Sequence, residues 1–169
     1  MELPYVTIAI SITSVLISLA SVTFAMNSWH RTNRPIISAR ITTAVGGEVN
    51  TALNIVVENT GNRPAKSIKL IAKRSDVLGA MREKSQIVPI DAEHCFFEHK
   101  IIPVLANGKA ASNAFGSIGE DGEWEAGAKI PLEIEYFSFE GKRYTEEMAL
   151  LLVDDAGFAQ TFWGTPAPS

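Results

Sequence analysis

The stretch from Val6 to Met26, VTIAISITSVLISLASVTFAM, contains no charge, no proline and no glycine. At about 1.5 Å of helix per residue it covers roughly the 30 Å hydrocarbon core of a bilayer, and a helix satisfies every backbone N–H and C=O without water. We therefore expect a transmembrane helix over 6–26, with a short flank at 1–5 and a polar connector over 27–35 ending at Pro35. A secretory signal peptide competes with this reading, because Ser18-Leu19-Ala20 has the small-x-small form of a cleavage site. Against it, Met1-Glu2-Leu3-Pro4 holds no Lys or Arg for a positive leader, and the apolar run continues past that site.

The flanks suit an anchor. Tyr5 and Trp29 stand just outside the run, where aromatic rings favour the headgroup zone. Arg31, Arg34 and Arg40 follow it, whereas no cation precedes it, so the bulk of the chain is expected in the cytoplasm as the soluble part of a single-pass protein of the cell's inner membrane. Thr7, Ser11, Ser14, Ser18, Ser21 and Ala25 recur at steps of four and three and share one face of the helix. Lipid provides no hydrophobic drive for helix association, so close approach at small residues and hydroxyl bonds across a seam must provide it. The expected partners are the bilayer and, through this face, a second copy of the chain or another membrane protein. The rival reading is that each hydroxyl bonds its own preceding turn.

Asn27 to Ser169 is enough chain for one domain with a real core and too little for two. A formal net charge of -4 argues against nucleic acid as a partner, which would call for a basic face. The local concentration Arg63, Lys66, Lys69, Lys73 and Arg74 reads as a solvated strand face and turn. The single cysteine, Cys95, excludes an intramolecular disulfide framework and fits a reducing compartment.

Past Pro35 the chain alternates like strands. Ile37, Ala39, Ile41, Thr43 and Val45 share one face of a strand over 36–45; Leu53, Ile55 and Val57 point inward from 51–58; Ile68, Leu70 and Ala72 do so from 65–73. The segment 75–86 fits a short helical turn or a sheet-crossing loop. A strand is expected over 94–105, its Pro103 suiting an edge or an end. Residues 106–127, rich in Gly, Asn, Ala and Ser, read as a long irregular segment with a short strand near 114–118, the sort of loop where binding resides. KIPLEIEYFSF then places Ile130, Leu132, Ile134 and Tyr136 on one face, Glu140-Gly141 turns, RYTEEMALLLV returns, and Asp154 to Gly157 turns again into FAQTFW. The domain is expected to span 36–164, with a disordered tail over 165–169.

Val57-Glu58-Asn59-Thr60-Gly61-Asn62-Arg63-Pro64-Ala65 resembles the V-x-N-x-G-x-x-P-A corner of bacterial and archaeal immunoglobulin-like sandwiches of the CARDB type. Asn59 can bond the corner backbone, Gly61 admits a positive φ, and Pro64 sets an extended lead into the next strand. Glu125-Ala126-Gly127 is similar to the Pro-Gly turn before a late strand in those domains, with Ala126 in place of proline. The resemblance implies an all-β, immunoglobulin-like antiparallel sandwich behind the helix, serving as an interaction or spacer module. It transfers no catalytic residue, cofactor or metal.

His94, Cys95, Glu98 and His99 are ligand types, but on a strand residues four apart stand about 13 Å from each other and cannot share an ion. The acidic turn 120–125 lacks the D-x-[DN]-x-[DN]-G order of a calcium loop, and Asn107-Gly108-Lys109 lacks the glycine spacing of a phosphate loop. No nucleophile sits in a recognisable elbow. The sequence thus points to a non-enzymatic, membrane-anchored interaction or assembly module. The alternatives are an oligomeric membrane effector with a Ser/Thr-lined helix bundle, and an extracytoplasmic adhesion or envelope spacer.

Overall fold

The structure, a computed structural model, describes residues 3–46, 49–83, 95–96 and 100–154. The chain divides into two units, Met1–Arg34 and Pro35–Ser169.

The first unit is the helix α1, Leu3–Thr32. It includes the expected span and continues through Thr32, so most of the expected connector is helical. Asn27 to Thr32 contains neither proline nor glycine to stop it. The helix closes where Asn33 returns both its N–H and its Nδ2 to the Trp29 carbonyl, at 2.8 and 3.1 Å. Pro35 then disfavours helical backbone at Arg34.

The second unit is two antiparallel sheets packed as a sandwich. In chain order its elements are β1 (Ile37–Val45), β2 (Asn50–Asn59), β3 (Ala65–Ile71), the short helix α2 (Arg74–Gly79), β4 (Ile101–Leu105), β5 (Ala110–Gly119), β6 (Lys129–Ser138) and β7 (Arg143–Leu151). One sheet has the order β1-β2-β5 and the other β4-β3-β6-β7. The core is the sum of the alternating inner faces. Ile37 and Ile41 of β1, Leu53, Ile55 and Val57 of β2, Ile68 and Leu70 of β3, and Ile130, Leu132, Ile134 and Tyr136 of β6 are all buried. Period-two patterning therefore identified the inward residues of these strands, apart from the end of β1, where a register shift between Thr43 and Val45 sets Val45 opposite Ala52 and leaves it exposed.

Two expectations are corrected. The short strand expected near 114–118 is a ten-residue strand, β5, paired with β2 from Glu58↔Ala110 to Asn50↔Gly119, so 106–127 is not one long loop. The register slips between Leu53↔Gly116 and Asn54↔Ala114, leaving Phe115 as an extra residue. That bulge puts the buried Phe115 and Ile118 three apart, breaking the period of two that would have marked the strand. Among the described residues of 94–105 the strand covers Ile101–Leu105, while Cys95 and Phe96 form a 3-10 turn. Pro103 lies inside β4, which is an edge strand, where its missing N–H costs no ladder bond. The segment left open at 75–86 holds α2, which buries Val77. The strand FAQTFW and the tail 165–169 lie outside the described residues.

A clasp at the leading end and a plug at the other

The expected corner is a hydrogen-bonded clasp. Asn59 is buried at the end of β2 and uses its whole amide. Its Nδ2 donates to the carbonyls of Arg63 at 2.7 Å and Leu105 at 3.1 Å, and its Oδ1 accepts from the N–H groups of Gly61 at 3.0 Å and Ile36 at 3.3 Å. One side chain thereby ties β2 of the first sheet to the end of β4 in the second, closes the turn over Gly61 to Pro64, and holds the residue that leads into β1. Gly61 contributes its buried N–H, and the half-buried Pro64 precedes the fully buried Ala65. The leading segment is gripped further by Thr60, which donates its N–H to the Ile36 carbonyl at 2.9 Å, and by Tyr136, whose single hydroxyl proton is shared between the carbonyl of the buried Pro35 at 3.0 Å and the Glu146 carboxylate at 3.1 Å. The three sequence-selected corner residues converge; sequence reasoning missed Tyr136, which looked like one more inward residue of β6.

The other end is closed by an aromatic plug. Trp124 is fully buried, stacks on Phe115 with ring centroids 4.7 Å apart, and donates Nε1–H to the Phe115 carbonyl at 2.5 Å. Phe96 meets Phe115 edge to face at 5.8 Å. The acidic turn preceding and following Trp124 is bound to protein groups. Arg82 donates to the Glu120 carbonyl at 2.6 Å and to the Glu125 carboxylate at 3.3 Å, and Glu123 accepts from the Ser117 N–H at 2.7 Å and hydroxyl at 2.8 Å. Burial alone would push the Glu123 carboxyl up, but these Ser117 bonds and its own backbone N–H hold it below the usual carboxylate range. Glu125-Ala126-Gly127 does form a turn, with Gly127 at φ +82 and its N–H on the Leu152 carbonyl at 2.7 Å.

On α1 the sequence-selected stripe Thr7, Ser11, Ser14, Ser18, Ser21 and Ala25 is exposed throughout. The hydroxyl protons are already committed along the helix. Ser11 donates to the Thr7 carbonyl, Ser14 to Ile10, Ser18 to Ser14 and Ser21 to Ile17, at 2.8–2.9 Å. Each oxygen retains acceptor capacity only. Tyr5 and Trp29 are exposed near the two ends of the helix, and Arg34 is half-buried after it. The Arg31 side chain is outside what the structure describes, as are His94, Glu98 and His99. Cys95 is described, and burial pushes its thiol up to about 12, which keeps it protonated and unreactive at neutral pH.

Residues 3–154 match the profile of a family described as a domain of unknown function, DUF8453. The chain belongs to this family. The match covers α1 and every described strand of the sandwich. No curated protein matches this DUF8453 chain.

Proposed function

We propose that the chain is a non-enzymatic, membrane-anchored interaction and assembly module, with α1 retained as a single-pass anchor and the sandwich in the cytoplasm. One observation supports the reading above the others. Pro4–Trp29 is long and apolar enough to cross a membrane, and none of its most apolar window is buried by the rest of the described chain. So large an apolar surface needs lipid or another helix around it.

The sandwich is read as immunoglobulin-like. Lettered A to G, β1-β2-β5 follows the A-B-E order and β3-β6-β7 the C-F-G order of such domains, with the fourth strand beside C rather than beside E. Together with the Asn59 corner, this strand order favours the CARDB-like resemblance and hence a binding or spacing role. The hydroxyl bonds along α1 match the rival reading in which each hydroxyl serves its own preceding turn, so association through this face would rest on close packing of the small residues alone.

The test is carried out on the full chain in its own membrane. Resistance to alkaline carbonate and an intact N-terminal peptide are expected; a mature chain beginning after Ala20 would refute the anchor. Labelling of single cysteines placed in the sandwich by a membrane-impermeant reagent should require lysis, and labelling of intact cells would favour the extracytoplasmic spacer. Native mass spectrometry then reads assembly. A multiple of 18.3 kDa indicates self-association, that mass plus a second polypeptide indicates an adaptor, and a bare monomer contradicts assembly.

A further inference from the structure

The strand registers gather a distinct surface at the end of the sandwich where the chain leads in. Ile37 faces Asn59, Glu58 faces Ala110, Ala65 faces both Leu105 and Ser138, and Phe137 faces Arg143. The segment 59–65 and the turns at 106–109 and 139–142 therefore lie together, beside the buried Pro35. In the chain only Asn33 and Arg34 separate Thr32 of α1 from Pro35, a reach of about 7 Å per pair of extended residues.

This end is basic. Arg63, Lys66, Lys109, Lys142 and Arg143 cluster there, and the acids among them, Glu58, Glu135 and Glu140, pair with Arg40, Arg143 and Arg63. Phe139, 54% exposed, projects from the 139–142 turn, with Lys66 Nζ 5.8 Å from its ring centroid and 3.4 Å from its carbonyl oxygen. Lys142 lies 5.3 Å from the Tyr144 ring centroid, and Val104 is 53% exposed beside Lys66. The opposite end also exposes apolar side chains, Val45, Val49 and Val153, and its exposed charges are of both signs, the acids Glu120, Asp121, Glu125 and Asp154 and the cations Lys73, Arg74 and Lys129. The two ends thus differ in charge balance rather than in apolarity, with cations outnumbering acids at the leading end and both signs mixed at the other.

We propose that the basic end docks on the anionic lipid headgroups of the bilayer that holds α1, with Lys66, Lys109 and Lys142 at the phosphates and Phe139 in the interfacial zone. The proposal rests on reading α1 as a retained anchor. Lysine stems lie along apolar surface while the ammonium reaches a phosphate, and an aromatic ring flanked by cations suits the headgroup layer. A contact too weak to hold a free domain suffices here, because the short link to α1 makes it intramolecular.

Hydrogen exchange on the full chain in nanodiscs tests this, comparing phosphatidylcholine alone with discs containing about one-quarter phosphatidylglycerol. Amides in 60–66, 104–109 and 139–143 should exchange at least roughly five-fold more slowly in the anionic discs, the shift that one cation near such a surface is worth. Amides in 119–126 should not change, and high salt should abolish the difference. The triple variant Lys66→Glu, Lys109→Glu and Lys142→Glu should lose it too, with unaltered exchange at 119–126 showing that the fold persists. Equal exchange in the two discs, or slowing at both ends, would overturn the docking. Carbonate extraction separates the two readings. A chain that resists extraction yet shows equal exchange refutes docking alone, and a chain that is extracted refutes the anchor and the docking with it.

Discussion

Replacing Asn59 by alanine should be among the most damaging single changes in the sandwich. The substitution leaves the N–H groups of Ile36 and Gly61 and the carbonyls of Arg63 and Leu105 without the partner they have in the structure. Ile36 is exposed and Arg63 half-buried, so water can replace the amide there at about 0.5–1 kcal/mol each. Gly61 and Leu105 are buried, and an unpaired polar group at each costs about 1–2 kcal/mol. The expected loss is about 3–6 kcal/mol, a large part of the 5–15 kcal/mol that usually holds a domain folded. Urea unfolding of the full chain in mild detergent, followed by tryptophan fluorescence with the buried Trp124 as reporter, measures it. Asn107→Ala, exposed in the turn at 106–109, is the control and should stay within about 0.5 kcal/mol. Asn59→Asp should be no better than alanine at neutral pH, since it turns an oxygen instead of an NH2 group toward two carbonyls. A loss below about 1 kcal/mol for Asn59→Ala would refute the clasp, because it would mean that the corner closes without the amide.

Other substitutions probe the backbone and the plug. Gly119→Ala places a Cβ 2.3 Å from the Val49 carbonyl at φ +133 and should cost about 2–4 kcal/mol in the same unfolding assay. Ser67 sits at φ 53 in the irregular stretch of β3 between Lys66 and Lys69, so Ser67→Gly should raise stability by about 1 kcal/mol and raise the melting temperature by a few degrees. Glu123 gives a pH signature. Its folded-state pKa lies below the unfolded value of about 4.3, so its contribution is fully present above that pH and is lost as pH falls through the folded value. The stability difference between the native chain and Glu123→Gln should therefore be largest near neutrality and shrink below about pH 4, and a difference that grew on acidification would contradict the Ser117 contacts.

Most of the strands were legible because half-buried strands write their geometry into period two. Leu53, Ile55 and Val57, or Ile130, Leu132, Ile134 and Tyr136, leave little doubt about which face is covered. The corner was legible for a similar reason. Asn, Gly and Pro at fixed offsets act on backbone within a few residues, and two of the four Asn59 bonds stay inside 59–63. Where the pattern was interrupted, reading failed. In β5 a bulge at Phe115 put one step of three, from Phe115 to Ile118, into the alternation of inward residues, and its small polar side chains resembled a loop.

The sequence by itself determined the apolar helix, the alternating faces of the sandwich and the local turn chemistry, because each depends on residues a few positions apart. The tertiary structure alone decided that Asn59 also grips Ile36 and Leu105, which are 23 and 46 residues away, and that Tyr136 reaches Pro35 across 101 residues. It also decided that Trp124 fills the far end against Phe115 and that the scattered cations Arg63, Lys66, Lys109 and Lys142 share one surface. Spacing along the chain carries no trace of such meetings, since they follow from which strands pair and in what register, and that is settled by the packing of the two sheets together.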